Sequence, residues 1–139
     1  MKEKDRLKKA IEFHGHLGPY LVLGLLSGEL LLKRIKAKKH FGIKVKVYGA
    51  NKRPKSCLID GLQLSTGATF GKGNIRKLYG SSIKITACNL KNNKQAILLL
   101  KPDLIKGLKT LKGHRDSEDF ARKLLMVNKG SLFQVKIKE

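Results

Sequence analysis

Four side chains in two short stretches of this 139-residue chain carry most of its reactive chemistry. The first stretch is Phe13-His14-Gly15-His16-Leu17-Gly18-Pro19; the second runs from Cys57 to Asn74 as CLIDGLQLSTGATFGKGN. Neutral imidazole suits zinc, nickel, copper or iron. Residues two apart on a helix point about 200° apart, whereas in extended backbone they share a side. His14 and His16 therefore chelate one ion only if their segment is not helical, a freedom Gly15 supplies. His-x-His alone is a weak signal, and two ordinary hydrogen-bonded histidines fit it equally. Cys57 follows Ser56, a helix-capping residue, which puts the thiol in a first helical turn. There the helix dipole, Arg53 and Lys55 favour the thiolate, the form that ligates metals and attacks electrophiles. A buried, inert thiol is the alternative. Asp60 shares a helical face with Cys57, and Gln63 continues it. Asp60 is a fourth ligand, an orienting partner for a histidine, or a lysine's counter-ion. Cys88 sits in a strand-like alternation with Ile83, Ile85 and Ala87 and reads as structural.

Thr66 to Asn74 is rich in glycine and holds one lysine. A phosphate-binding P-loop needs four residues between its first Gly and Gly-Lys, then Ser or Thr. This chain has three, and Gly73 follows Lys72. Two readings stay open: a backbone nest in which Gly71, Lys72, Gly73 and Asn74, with Gln63, contact an anion, or a tight structural turn.

These residues need elements to position them, and the pattern reads α-α-β-α-β-β-α-α-β. A short helix spans about 5–12. Pro19, capped by Gly18, opens a long helix to about Lys38 with one broad apolar face; Gly24 and Gly28, four apart, permit close packing. Ile43, Val45 and Val47 alternate with Lys44, Lys46 and Tyr48 as a half-buried strand. A helix follows from Ser56 to about Ser65. Strands at 83–88 and 95–101 pair around Lys91-Asn92-Asn93. Helices span 103–111 and 117–127, the second capped by Asp116 and stopped by Gly130. Phe133, Val135 and Ile137 mark a last strand. Strands and helices in this order give one α+β domain over 1–139, an antiparallel or mixed sheet packed with helices.

With 31 Lys and Arg against 10 Asp and Glu, the net charge is +21. Between Leu30 and Pro102 the only acid is Asp60, against 17 Lys and Arg. Such a field favours anionic partners: nucleic acid, an anionic cofactor or an acidic protein subunit. A solvated lysine-rich surface of the thermophile kind is the bland alternative. Two cysteines without a CxxC pair exclude a zinc ribbon. No apolar run reaches transmembrane length and the N-terminus lacks an apolar signal core, so no membrane role and a cytoplasmic location are expected.

Both stretches resemble the FmdE family of formylmethanofuran dehydrogenase subunits, whose pattern is close to FHGHxCPG followed by CxxDxxQxxTGCTxGKGN. The matches are Phe13, His14, Gly15, His16 and Pro19, then Cys57, Asp60, Gln63, Thr66, Gly67, Thr69, Gly71, Lys72, Gly73 and Asn74. The resemblance covers about residues 8–101. It implies an α+β core that tends to form intertwined homodimers, and a metal site of His14, His16 and Cys57. It also implies a core-only member without the added C-terminal zinc finger. Gly18 and Ala68 stand where the family has cysteines, which removes whatever those thiols do. A His2Cys set with an open fourth position is the arrangement of a catalytic or substrate-binding zinc; nickel and iron are the other divalent candidates.

Three functions compete. The first is a metal-binding protein accessory to formylmethanofuran dehydrogenase in methanogenesis-type one-carbon metabolism. The second is a basic nucleic-acid-binding protein, for which the chain offers charge but few aromatic residues. The third is a stand-alone enzyme using the Cys57 thiolate or a metal-bound water. The first absorbs most of the motif residues.

Overall fold

Pro19 opens the helix on which the rest of the structure packs. The computed structural model describes residues 3–138, so Met1, Lys2 and Glu139 of the expected domain lie outside it. Gly18 is extended (φ −143) and Pro19 takes the first turn of α2 (Pro19–Ile35), where its fixed φ and missing N–H cost nothing. The sequence predicted one apolar face. Instead Leu21, Val22, Leu23, Leu25, Leu26 and Leu31 are all buried, with Gly24, Ser27 and Gly28 between them. A stretch buried on every side, here Leu21 to Gly28, runs through the interior, and the polar Glu29, Lys33 and Arg34 come only after it. It stops short of Lys38 because Lys36 turns left-handed (φ 53) and the Ala37 amide folds back to the Leu32 carbonyl at 3.0 Å.

The sheet lies against one side of α2. Its strands are β1 (Ile43–Tyr48), β2 (Ile75–Leu78), β3 (Lys84–Asn89), β4 (Gln95–Leu100) and β5 (Phe133–Lys138), in the order β2-β1-β3-β4-β5. β1 and β2 are parallel and every other pair is antiparallel, a mixed sheet in an α+β fold. Val45, Val47, Ile85, Ala87, Ala96 and Leu98 are buried and form the inward face. Asn89 joins sheet to helix, its side-chain amide donating to the Ile35 and Lys36 carbonyls at 3.0 and 3.2 Å. The sequence reading omitted β2. It is four residues long, half cationic and at the sheet edge, so it lacks the alternation that marks a longer strand. A parallel partner also needs a crossover, which here is α3 (Cys57–Thr66).

α3 packs on α2 in the same direction: Gly24 meets Leu58 and Gly61, and Gly28 meets Ser65. Ser65 Oγ donates to the Gly24 carbonyl (3.1 Å) and to Gly61 in its own helix (2.9 Å). A methyl group on Gly24 would collide with the Leu58 carbonyl oxygen, and one on Gly61 with that of Leu21. Ser56 does not cap α3 as expected. Its backbone is already helical (φ −66, ψ −15), because a turn over 52–56 feeds the helix, and its side chain makes no capping bond.

α1 (Glu3–His14) packs on α3 and α2, and α5 (Gly113–Leu124) on α2. α1 outruns the expected span by two residues at each end. α4 (Pro102–Lys109) precedes α5, which begins four residues before the expected Ser117. Asp116 does not cap from ahead; it reaches back from inside the first turn and accepts from the Lys112 amide at 3.1 Å. α5 ends at Leu124, so Gly130 does not stop it. Gly130 lies in the short α6 (Lys129–Leu132), where its amide donates to Asn128 Oδ1 at 2.8 Å. No described helix is long and apolar enough to cross a membrane.

The helix crossing gives a direct expectation. Ala for Gly in a helix gains about 0.5–1 kcal/mol of propensity, but overpacking costs about 1–3 kcal/mol. Here the obstacle is backbone, which cannot rotate away. Gly24→Ala should lower stability by about 2 kcal/mol in urea denaturation. Gly71→Ala, whose methyl meets nothing nearer than 3.9 Å, should change it by less than about 0.5 kcal/mol.

Candidate functional site

The parallel crossing of α2 and α3 sets their N-termini side by side. Before one stands the His motif; at the other stands Cys57. His14 is the last residue of α1, and Gly15 (φ +111) ends that helix, its amide reaching the Ile11 carbonyl at 2.7 Å. The pair is thus neither wholly helical nor extended. One glycine in the left-handed region swings His16 out of the helix, and the two rings face each other with centroids 4.9 Å apart.

His14 Nδ1 lies 2.6 Å from Asp60 Oδ2. The His14 side chain is 9% exposed, and its Nε2 is buried without a hydrogen-bond partner. A carboxylate accepts from Nδ1–H, and in the neutral ring this leaves the Nε2 lone pair free. Asp60 therefore orients an imidazole, the second of the roles its spacing allowed.

His14, His16 and Cys57 line one cavity of about 340 Å³. Its walls are otherwise largely apolar: Leu17, Pro19, Leu108 and Leu111, with the Tyr20 ring. Among the described residues no three His, Cys, Asp or Glu side chains converge into a group able to hold a metal ion. The donors stand around the cavity rather than on one point within it. Cys57 departs from expectation. Burial pushes its thiol pKa up and the nearby Asp60 charge adds to this. Arg53 and a hydrogen bond from the Cys57 backbone pull it down but do not prevail. The helix dipole and the cations are legible in the sequence, whereas the desolvation arises only from the packed fold. Burial also raises the Tyr20 pKa.

Gln63, Gly71, Lys72, Gly73 and Asn74 do not line this cavity. Gln63 lies in the last turn of α3 and the others beyond its C-terminal end; the helix is about 15 Å long, which sets them away from Cys57. The turn satisfies itself: Gln63 Oε1 accepts from the Phe70 amide and Asn74 Oδ1 from the Thr69 amide, both at 3.0 Å. Asn74 Nδ2 donates to the His40 and Ile43 carbonyls. Lys72 Nζ donates to Thr69 Oγ1 at 3.2 Å and sits over the Phe41 ring. These bonds hold the stretch in a tight turn.

The sequence reading missed His114. It sits in the first turn of α5 and lines the cavity, its ring perpendicular to that of His16 with centroids 6.5 Å apart. A helix starting at Ser117 leaves it in a loop. The signal available was that His114 is one of only four histidines.

The thiol makes a checkable case. With chelator present, the pH profile of Cys57 alkylation should have its midpoint above the ordinary thiol range. Asp60→Asn should move it down, since it removes a charge that opposes ionisation, and Arg53→Gln should move it up. Burial is the largest cause, so Asp60→Asn should not restore an ordinary thiol.

Comparison with known proteins follows the same residues. The profile of a family described as "FmdE, Molybdenum formylmethanofuran dehydrogenase operon" matches residues 13–131, spanning both motifs and reaching through α5. Among curated proteins none matches. A crystal structure of a tungsten formylmethanofuran dehydrogenase FmdE-like protein from Syntrophus aciditrophicus is similar, with TM-score 0.71 and 17% identity over 98% of this chain and 71% of that one. At that identity the likeness is one of fold. The profile match spans most of the sequence, and the chain belongs to the FmdE family.

Proposed function

We propose that this protein is a metal-binding accessory of a formylmethanofuran dehydrogenase system, with His14, His16 and Cys57 as ligands and Asp60 behind His14. The observation that carries the reading is the buried, unpartnered Nε2 of His14. A polar atom buried without a partner costs about 1–3 kcal/mol. An imidazole held by a carboxylate through its other nitrogen is the arrangement of a metal-ligating histidine. Two imidazoles and a thiol favour zinc, with nickel or iron next.

A bound zinc would supply a Lewis-acid centre at the wall of the cavity. The chain's residues do the rest. Asp60 holds the His14 ring and its proton at Nδ1. Gly15 lets His16 turn to face His14. Leu17, Leu108 and Leu111 exclude water from one side of the space. Binding would draw the donors together and release the Cys57 proton, which its raised pKa makes a cost of loading and a source of pH dependence. The family name supports the link to the dehydrogenase. Homodimer formation and docking on an acidic subunit belong to the same proposal. The role of accessory rather than enzyme fits a carboxylate, Asp60, that is hydrogen-bonded to His14 and does not line the cavity.

Protein purified without a polyhistidine tag should take up about one zinc per chain in titration against a chromophoric chelator. His14→Ala and Cys57→Ala should abolish uptake. Asp60→Asn should weaken it about 10–100-fold. Wild-type protein that neither carries nor takes up zinc, nickel or iron would overturn the reading.

A further inference from the structure

The sheet has a second face, and its chemistry is unlike the rest of the molecule. Among the described residues no strand carries an acid; the acids lie on the helices. The face opposite α2 presents Lys44 and Lys46 from β1, Arg76 from β2, Lys84 from β3, and Lys136 and Lys138 from β5. Lys46 and Arg76 are register partners. Like charges placed directly opposite each other destabilise a sheet, and no acid on any strand offsets this pair.

The register arranges these cations. Lys46, Thr86, Ile97 and Lys136 lie in one row across β1, β3, β4 and β5; Lys44, Cys88, Gln95 and Lys138 lie in the next. Two lysine pairs thus stand three strand spacings apart, about 14 Å. Beside Lys44 and Lys46, on the side towards β4, runs a shallow depression floored by Thr86, Cys88 and Gln95. A duplex major groove is about 12 Å wide with phosphates on both sides. We propose that this face binds the backbone of a nucleic-acid duplex, Lys44 and Lys46 holding phosphates on one side of a groove and Lys136 and Lys138 on the other.

The same face argues against other occupants. A second copy would set cations against cations. A single strand needs aromatic rings for its bases, and the Tyr48 ring lies beneath Lys84 Nζ, 4.5 Å from it. An acidic protein gains from the charge but has no use for two parallel rows at groove spacing. The proposal is independent of the metal reading, since none of these residues lines the cavity near Cys57.

The test is fluorescence anisotropy of the whole chain with a short labelled DNA duplex between about 50 and 200 mM salt. Binding should weaken with salt at a log–log slope of about −3.6, from about 0.9 per phosphate neutralised by the four lysines. Lys46→Gln with Lys136→Gln should make the slope shallower by about 1.8 and leave the melting temperature unchanged or higher. Lys106→Gln with Lys109→Gln, both exposed on α4, should leave the slope alone. The proposal is overturned by no saturable binding at the lowest salt, or by equal loss from the α4 variant. A single strand binding as tightly as the duplex, or poly-L-glutamate competing as well as DNA, would overturn it too.

Discussion

Two helices cross here with almost no side chain between them, and the rest of the site depends on that contact. Gly24 and Gly61 bring the backbones of α2 and α3 together, and the Ser65 hydroxyl bridges them. Because the helices run the same way, closeness at the crossing becomes closeness at their first residues. The crossover that makes β1 and β2 parallel fixes the direction of α3. Without it, the His motif and Cys57 would face opposite ends of the core.

The second constraint is electrostatic. Asp60 faces a histidine that is nine-tenths buried, so its carboxylate sets the ring's tautomer and holds its plane. The same charge lies near Cys57 and works against ionisation of the sulfur. One carboxylate thus leaves the lone pair of the far nitrogen free and adds to the upward shift that burial imposes on the thiol pKa. Arg53 does not reverse this, because desolvation at Cys57 is the largest cause.

Much of this was legible in residue types and spacing. The long helix, the β3–β4 hairpin, the alternating strands and the two motifs all follow from local pattern, and the motif spacing alone identified the family. What local pattern cannot carry is what comes from distant contacts. β2 exists because β1 offers an edge and α3 a crossover. Ser56 is not a cap because the preceding turn is already helical. In the glycine-rich turn, the side chains of Asn74 and Gln63 bind the Thr69 and Phe70 amides, partners set by the folded loop. His114 enters the cavity only through the packing of α5 on α2. Cys57 was misjudged for the same reason: charge is written in the sequence, but burial is a property of the whole fold.

The cavity is built from both sides of the core. Its walls come from the end of α1, the starts of α2 and α3, and the α4–α5 region, segments that are neighbours only when the interior is assembled. Any occupant is therefore linked thermodynamically to global unfolding: by mass action, occupancy at 100 times the dissociation constant adds about 2.7 kcal/mol to the stability of the entire domain.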